Sequence, residues 1–358
     1  MTKDPLVITR HADVRAVLSD PRFEVPAVAP ATDGTHGMAW LRGAVSRFSN
    51  GAEHARRRSH AVGLLSAIDV ATLRGDAFDL ASAELASPEP STPSGSSGPE
   101  VVDVMARLAR RVPVRVLATH LGVTPERRED AVGAVITMAA AYHPRPDPAP
   151  PAPESEEQAD RAVAVLADLL GCPDLERLAA VAALLIQACD ATAGLIGNAL
   201  NLLTRLPHAA IADRPAEAIL LETLRHDPPV RLTRRVAVSD TTAGGVAVPV
   251  GTVVVLDLAT ANRDPGVFHD PHRFDPDRRD GSEDGCPHLG FGAGVRPCPG
   301  DAAAVALAAG VVDAAAGWML VKSEIHYEPS ANLRVPARLD LRRPDSGKNQ
   351  LTDLHDQV

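Results

Sequence analysis

Apolar residues recur along most of the chain at the three- and four-residue spacing of amphipathic helices, and they alternate only in a few short stretches. Residues 6–9 are β-prone, and 11–18 place Val14, Val17 and Leu18 on one helical face before the breaker Asp20-Pro21. The segment GAEHARRRSHAVGLLS around His54 begins basic and turns apolar, which predicts a helix with one charged and one buried side. Helical spacing resumes over 101–121, 131–142, 159–170, 175–203 and 215–225, and 175–203 is long and apolar enough to run through the centre. Between 230 and 258, alternating Val and Thr with turns at Gly244-Gly245 and Pro249-Val250-Gly251 predict strands. Residues 262–300, dense in Pro, Gly, Asp and Arg, predict an ordered coil, followed by a helix over 302–318 and short strands to about residue 341. Residues 87–99 and 144–157 predict flexible loops, and 344–358 a disordered polar tail. The expected architecture is a single mainly α domain over 1–343 with a small β-rich region.

Composition narrows the function. The 358 residues are 45% apolar and carry a formal charge of −10, which argues against nucleic acid or an anionic membrane as the main partner. Cys172, Cys189, Cys286 and Cys298 are widely spread, as in a reducing cytoplasm and unlike a disulfide framework. No basic start followed by an apolar stretch and a cleavage site opens the chain, and no run of about 18 apolar residues is uninterrupted, so a soluble cytoplasmic protein is expected. The Ala, Arg, Val and Pro bias is of the kind seen in GC-rich bacterial genomes. There is no P-loop and no dinucleotide-binding glycine fingerprint after a strand.

The chemistry concentrates at Phe291-Gly-Ala-Gly-Val-Arg-Pro-Cys-Pro-Gly300. Glycines there let the backbone take positive φ, and Cys298 lies just before a predicted helix whose N–H groups favour a thiolate. On the residues alone, a glycine-rich turn with a buried cysteine, or a zinc site using Cys286, His288 and Cys298, are the alternatives. The stretch resembles the cysteine-ligand loop of cytochromes P450, Phe-Gly-x-Gly-x-x-x-Cys-x-Gly, at every fixed position. Glu222-Thr-Leu-Arg225, whose ends share a helix face, resembles that family's Glu-x-x-Arg. It is followed in the family's order by Asp227-Pro-Pro-Val230, Ala261-Asn-Arg-Asp-Pro265, Phe268, Pro271 and Phe274-Asp-Pro-Asp-Arg278. The likeness extends from Val7-Ile-Thr-Arg-His-Ala-Asp-Val14 to Asn332-Leu-Arg-Val-Pro-Ala337, and it is to the bacterial, actinomycete-type members.

The resemblance implies a single P450-type domain enclosing haem b, with Cys298 as the iron ligand in a loop that includes Phe291, Gly292 and Gly300. It implies a buried network of Glu222, Arg225 and Arg278, and haem-propionate partners at His54, Arg58, Arg235 and Arg296. The bland reading of His54 and Arg58 is a solvated basic helix face, and Arg56 and Arg57 are expected to point outward, where they would help dock an acidic electron donor. Ferredoxin and its reductase are the implied partners, and a small or medium natural product, such as a polyketide or nonribosomal peptide, is the implied substrate. The implied substrate-facing segments are the loop around Asn50 and residues 142–153, 185–192, 230–233 and 330–333.

Two departures qualify the likeness. This sequence lacks several dozen residues that the family normally has before Val7, and the connection 170–175 is short, implying a trimmed variant with a more open entrance. In the central helix, Gln187-Ala-Cys-Asp-Ala-Thr192 keeps the family's acid at Asp190 but places Ala191 where a threonine hydroxyl normally helps deliver protons to dioxygen. Three accommodations are open: a substrate hydroxyl or water stands in, Thr192 reaches in, or the reaction is oxidative C–C, C–O or C–N coupling without oxygen insertion. A haem protein that only binds a ligand is the non-enzymatic alternative. Cys189 is expected to be a packing residue.

Overall fold

The computed structural model describes residues 5–28, 36–87, 101–142, 153–171, 173–206, 214–278, 288–321 and 324–343. The expected loop 88–99, residues 144–152, the tail 344–358, Cys172 and Cys286 lie outside the described residues.

The chain opens with β1 (Leu6–Ile8), α1 (His11–Ser19) and β2 (Phe23–Glu24), then α2 (Met38–Ala44), α3 (Gly51–Ser66) and α4 (Val70–Ala86). It continues through β3 (Val101–Asp103), a π-helical turn (Met105–Ala109), α5 (Val112–His120), α6 (Arg128–Tyr142), α7 (Pro153–Leu170) and α8 (Leu175–Leu203). The second half holds α9 (Ala216–His226), β4 (Leu232–Ala237), β5 (Thr241–Ala243), β6 (Val246–Val248), β7 (Val253–Asp257), α10 (Leu258–Ala261), α11 (Asp301–Ala314), β8 (Met319–Leu320) and β9 (Asp340–Arg342). Among the described residues three small sheets have orders β1-β7-β4-β2, β3-β9-β8 and β5-β6, with only β1 and β7 parallel. The mainly helical expectation therefore holds.

Several elements differ from the sequence reading. Residues 101–103 are a strand and not the start of a helix, because Val101 and Val102 pair with Arg342 and Leu341. Asp103 then turns the chain by accepting from the Met105 N–H at 3.0 Å. Residues 153–157, expected within a flexible loop, form the first turn of α7, where Glu154 and Glu156 meet the positive end of the helix dipole. The helix expected over 302–318 ends at Ala314, and Gly317 follows with φ 85°. Helices α2 and α4 were not anticipated. Asp69 caps α4 by accepting from the Thr72 N–H at 3.1 Å, and α4 buries Leu73, Ala77, Ala81 and Leu85 along one stripe. That stripe meets α11 so closely that a Cβ on Gly310 would sit 2.4 Å from the Arg74 carbonyl.

Helix α8 is the one described helix long and apolar enough to cross a membrane, yet 67% of its most apolar window is buried inside the protein. Leu185, Ile186, Leu195 and Ile196 are fully enclosed, which makes it the axis on which α5, α6, α9 and α11 pack. The short turn from Leu170 to Leu175 is as expected, since α7 runs almost directly into α8.

The coil after α10 is held by charge. Arg225 donates through Nε and Nη2 to the two Glu222 carboxylate oxygens at 2.8 and 2.6 Å, and Arg278 Nε donates to the same carboxylate at 3.3 Å. Arg225 also donates to the carbonyls of Asn262, Pro271 and Arg273 at 3.1, 2.8 and 3.0 Å. Its guanidinium lies 5.3 Å from the Phe268 ring centre. Asn262 donates to the Leu224 carbonyl at 3.1 Å and accepts from the Leu289 N–H at 2.7 Å, so the network reaches the start of the cysteine loop. A buried ion pair broken on one side costs about 3–5 kcal/mol. Glu222→Gln, which leaves two enclosed guanidiniums without their anion, is expected to lose stability of about that size, read as a lowered urea midpoint at unchanged slope.

Candidate active site

The cysteine loop runs from Phe291 to Gly300 between the coil and α11. The Cys298 N–H donates to the Phe291 carbonyl at 2.7 Å, folding the loop back on itself. Gly292 and Gly294 have φ of 70° and 67°, which side-chain-bearing residues rarely adopt. At Gly294 a Cβ would also lie 2.5 Å from the Leu18 carbonyl, and the next residue, Val295, donates its N–H to that same carbonyl at 3.3 Å. Burial pushes the Cys298 thiol up from its ordinary pKa, with Asp301 adding to the rise, while the Gly300 N–H and Arg58 pull it down. The expected thiolate stabilisation at the start of α11 is thus outweighed by desolvation. A thiolate here needs the charge of a bound metal ion.

The four sequence-marked propionate partners come together around this loop. Arg58 on α3 donates to the Pro297 carbonyl at 2.6 Å. Arg296 donates to Asn50 Oδ1 at 2.8 Å and to the Ser49 carbonyl. Arg235 on β4 is buried and donates only to its own neighbourhood, Thr233 Oγ1 at 3.2 Å and the Arg234 carbonyl at 2.8 Å. Burial and then the nearby Arg296 and Arg47 bring the Arg235 pKa down to about 10. His54 is brought down to about 4 by burial, Arg296 and Arg58, so at neutral pH it is an uncharged imidazole and not a fourth cation. Among the described residues none of the four makes an ion pair with a carboxylate. A cluster of like charges around the buried Arg235, without a carboxylate in ion-pair contact, is costly unless an anion joins it. A donor set of three guanidiniums, one neutral imidazole and an adjacent cysteine fits a haem, whose two propionates supply the missing charge.

Residues Arg47 and Gln187 connect this cluster to α8 and were not marked individually by the sequence. Arg47 Nη1 donates to Gln187 Oε1 at 2.9 Å, and its guanidinium sits 5.6 and 5.7 Å from the rings of Phe48 and Tyr142. One helical turn further, Asp190 meets Arg110 at 3.4 Å, and Arg110 meets Glu328 at 2.7 Å. Glu328 and Asp190 hold Arg110 above its ordinary pKa against the opposing effect of burial. Thr192 is buried, Ala191 is half-buried, and Cys189 is fully buried with burial raising its thiol pKa, in keeping with a packing role.

One expectation about a neighbouring residue fails. Arg57 does not point outward: it donates to the Gly43 carbonyl at 2.7 Å and to Ser49 Oγ, tying α2 to α3. Arg56 is exposed but already paired with Glu53 and Glu176. Asn50, placed in a substrate-facing loop, spends its amide on Val25 and Arg296. Of the zinc alternative, His288 gives its Nδ1 to the Gly290 N–H at 3.2 Å, and burial brings its pKa down to about 4. A groove of about 580 Å³ between α6 and α7, edged by Arg127, Asp130, Gln158 and Arg161, lies on the surface away from Cys298. The reactive centre is placed by the cysteine and the cations, not by that groove.

The sequence profile of the cytochrome P450 family matches residues 205–306, which contain the Glu222 network and the cysteine loop. Mycinamicin IV hydroxylase/epoxidase of Micromonospora griseorubida is 30% identical over 329 residues, covering 82% of this chain and 77% of that protein. 6-Deoxyerythronolide B hydroxylase of Saccharopolyspora erythraea is 31% identical over 236 residues, covering 58% of this chain and 55% of that protein. The chain belongs to the cytochrome P450 family. Against cytochrome P450 140 of Mycobacterium tuberculosis the identity is 42% over 144 residues, and the matched region spans about a third, 32%, of that relative's length. Among solved structures, CYP164A2 of Mycobacterium smegmatis superposes with a TM-score of 0.74 at 27% identity, covering 94% of this chain and 90% of that one. P450BioI in complex with an acyl carrier protein ligated to hexadec-9Z-enoic acid shares the fold, with a TM-score of 0.78 at 22% identity over 94% and 92% of the two chains.

Arg235→Leu separates a propionate partner from a structural cation. Losing a charge-assisted hydrogen bond, about 1.5–3 kcal/mol, is expected to weaken haem binding by about one to two orders of magnitude. The thermal midpoint of the haem-free protein is expected to stay level or rise, because an uncompensated buried charge has gone. Haem titration followed at the Soret band, paired with melting of the haem-free protein, checks both.

Proposed function

We propose that this chain is a haem-thiolate monooxygenase that oxidises a small or medium natural product, with haem b held by Cys298. The observation that carries the reading is the cysteine loop set beside Arg58, Arg235 and Arg296, three guanidiniums that have no carboxylate among the described residues. When bound, the haem supplies the activation of dioxygen, with the thiolate donating electron density that favours O–O cleavage. The chain's own residues then do the rest. Arg58, Arg235 and Arg296 would hold the haem through its propionates, and the neutral His54 would offer an N–H donor. Phe291, Gly292 and Gly300 shape the loop around the sulfur.

On the α8 side, Asp190 is the acid available for proton movement, and its carboxylate is tethered to Arg110, which Glu328 holds in turn. Proton transfer through Asp190 therefore requires that tether to loosen. Ala191 contributes no hydroxyl, so the donor nearest the reacting oxygen is a substrate hydroxyl, a water or Thr192. Polyketides and nonribosomal peptides are rich in such hydroxyls, and two of the relatives are named as hydroxylases, of mycinamicin IV and of 6-deoxyerythronolide B. This supports a role in specialised metabolism such as antibiotic biosynthesis, with electrons from ferredoxin and its reductase. The same missing hydroxyl favours a second reading, oxidative coupling of aromatic groups, in which hydrogen is removed and no oxygen is inserted.

The reduced protein with carbon monoxide is expected to show the red-shifted Soret band of a thiolate-ligated haem, and Cys298→Ser is expected to abolish it while leaving the protein folded. A wild-type spectrum without that band sinks the proposal. With redox partners and candidate substrates, product mass distinguishes the readings: a gain of one oxygen supports hydroxylation, and loss of hydrogen alone supports coupling. Ala191→Thr is expected to raise the fraction of reducing equivalents recovered in product. An unchanged fraction shows that this position does not govern proton delivery.

A further inference from the structure

A second basic site lies apart from the haem residues. Where the end of α8, the end of α9, the segment before β4 and the 327–334 segment converge, a cavity of about 250 Å³ is lined by Arg205, Arg231, Arg263 and Arg334 together with His226 and Asp227. None of these residues belongs to the cysteine loop or to the propionate partners. We propose that this cavity is a binding site for a small oxyanion of the phosphate class.

The charge count is the first argument. Asp227 is the one carboxylate in the lining and is taken by Arg334 Nε at 2.8 Å. Among the described residues no carboxylate lies within ion-pair distance of Arg205, Arg231 or Arg263. Four guanidiniums thus share a partly enclosed space with a single carboxylate, an excess of positive charge that repels itself until a further anion is supplied.

The donors are also prepared. Arg263 Nε is buried and makes no hydrogen bond. An unmade hydrogen bond of a buried donor carries the desolvation cost without return, and an oxyanion that reaches it satisfies it. Three of the arginines are pinned by other residues of the lining. Arg205 Nε donates to Asn201 Oδ1 at 3.2 Å, Arg263 Nη2 donates to the His226 carbonyl, and the Arg334 guanidinium lies 3.5 Å from the Tyr327 ring centre. Burial, and then the neighbouring Arg231, Arg225 and Arg334, work to lower the Arg263 pKa, against which Asp227 acts. Planar guanidiniums held in this way match the tetrahedral oxygens of phosphate pairwise.

Size limits the occupant. Pockets for drug-sized ligands run to about 300–1,000 Å³, so this cavity suits a single phosphate head with little attached. The site also bears on the reactive side. The Arg231 N–H donates to the Asn332 carbonyl and the Arg334 N–H to the Pro229 carbonyl, both at 2.8 Å, flanking the bridge between Val230 and Leu333. An anion shared by Arg231 and Arg334 would draw these two segments together.

The test is calorimetric titration of the haem-loaded protein with inorganic phosphate at ionic strength fixed by chloride, with glycerol 3-phosphate as a parallel arm. Saturable phosphate binding with a raised thermal midpoint and an unchanged haem spectrum is expected. Equal or tighter binding of the ester identifies a phosphorylated small molecule as the occupant, and binding of phosphate alone identifies the free ion. The double variant Arg205→Gln with Arg231→Gln is expected to weaken binding at least tenfold. Asp227→Asn, which removes the competing carboxylate, is expected to tighten it several-fold, an outcome that misfolding cannot mimic. Absence of saturable binding, an affinity unchanged in both variants, or binding lost only in Arg235→Leu overturns the proposal.

Discussion

The carboxylate of Glu222 is the fixed point of this protein. It is almost fully enclosed, and two guanidiniums, those of Arg225 and Arg278, converge on it. An ion pair in such a place gains little net stability over apolar packing, because desolvating the charges offsets their attraction. Its value is positional. A coil rich in proline, glycine and aspartate has no repeating hydrogen bonds of its own, and here its carbonyls are collected by two arginines whose charge is balanced only if they stay on Glu222. Asn262 passes that order to Leu289, and so to the loop that carries Cys298.

The haem cluster inverts this design. Around Glu222 each cation has a carboxylate in contact, whereas around Arg235 none does. The protein holds three guanidiniums together by packing and by carbonyl contacts, and it holds His54 neutral, so the electrostatic deficit is reserved for a ligand. The same physical contrast separates the Arg205, Arg231 and Arg263 cavity from the ordinary surface pairs, in which each cation has its acid close by. Buried cations with partners build the scaffold, and clustered cations without carboxylate partners mark places where something else belongs.

How much of this was legible in the sequence follows from how local each signal is. The cysteine loop, Glu222 with Arg225, and the long α8 are written in contiguous residues, and their placement agrees with the reading. His54 was read as a cation because it matches a propionate partner of the family, but burial, with Arg296 and Arg58 beside it, keeps its imidazole neutral. Helix α4 escaped notice because its buried stripe is half alanine, which carries a weak apolar signal until Gly310 on α11 lets the two helices meet. Arg47 and Arg110 act through Gln187 and Asp190, far away in the chain, and nothing adjacent to either arginine announces the partner. The strand at 101–103 was missed for a similar reason, since its pairing residues lie near 341.

The contact of Gly294 and Val295 with Leu18 carries a consequence for biosynthesis. The loop that bears the iron-ligating candidate is braced against the first helix, so the loop and this support come from distant parts of the described chain. A ribosome adds residues at about 5–20 per second, and during that time α1 waits without the surface it is built to meet. The metal-binding geometry is consequently among the last features of the fold to be completed. Capture of the prosthetic group is thereby coupled to closure of the whole domain, and a nascent chain has no early, partly formed pocket in which to trap it.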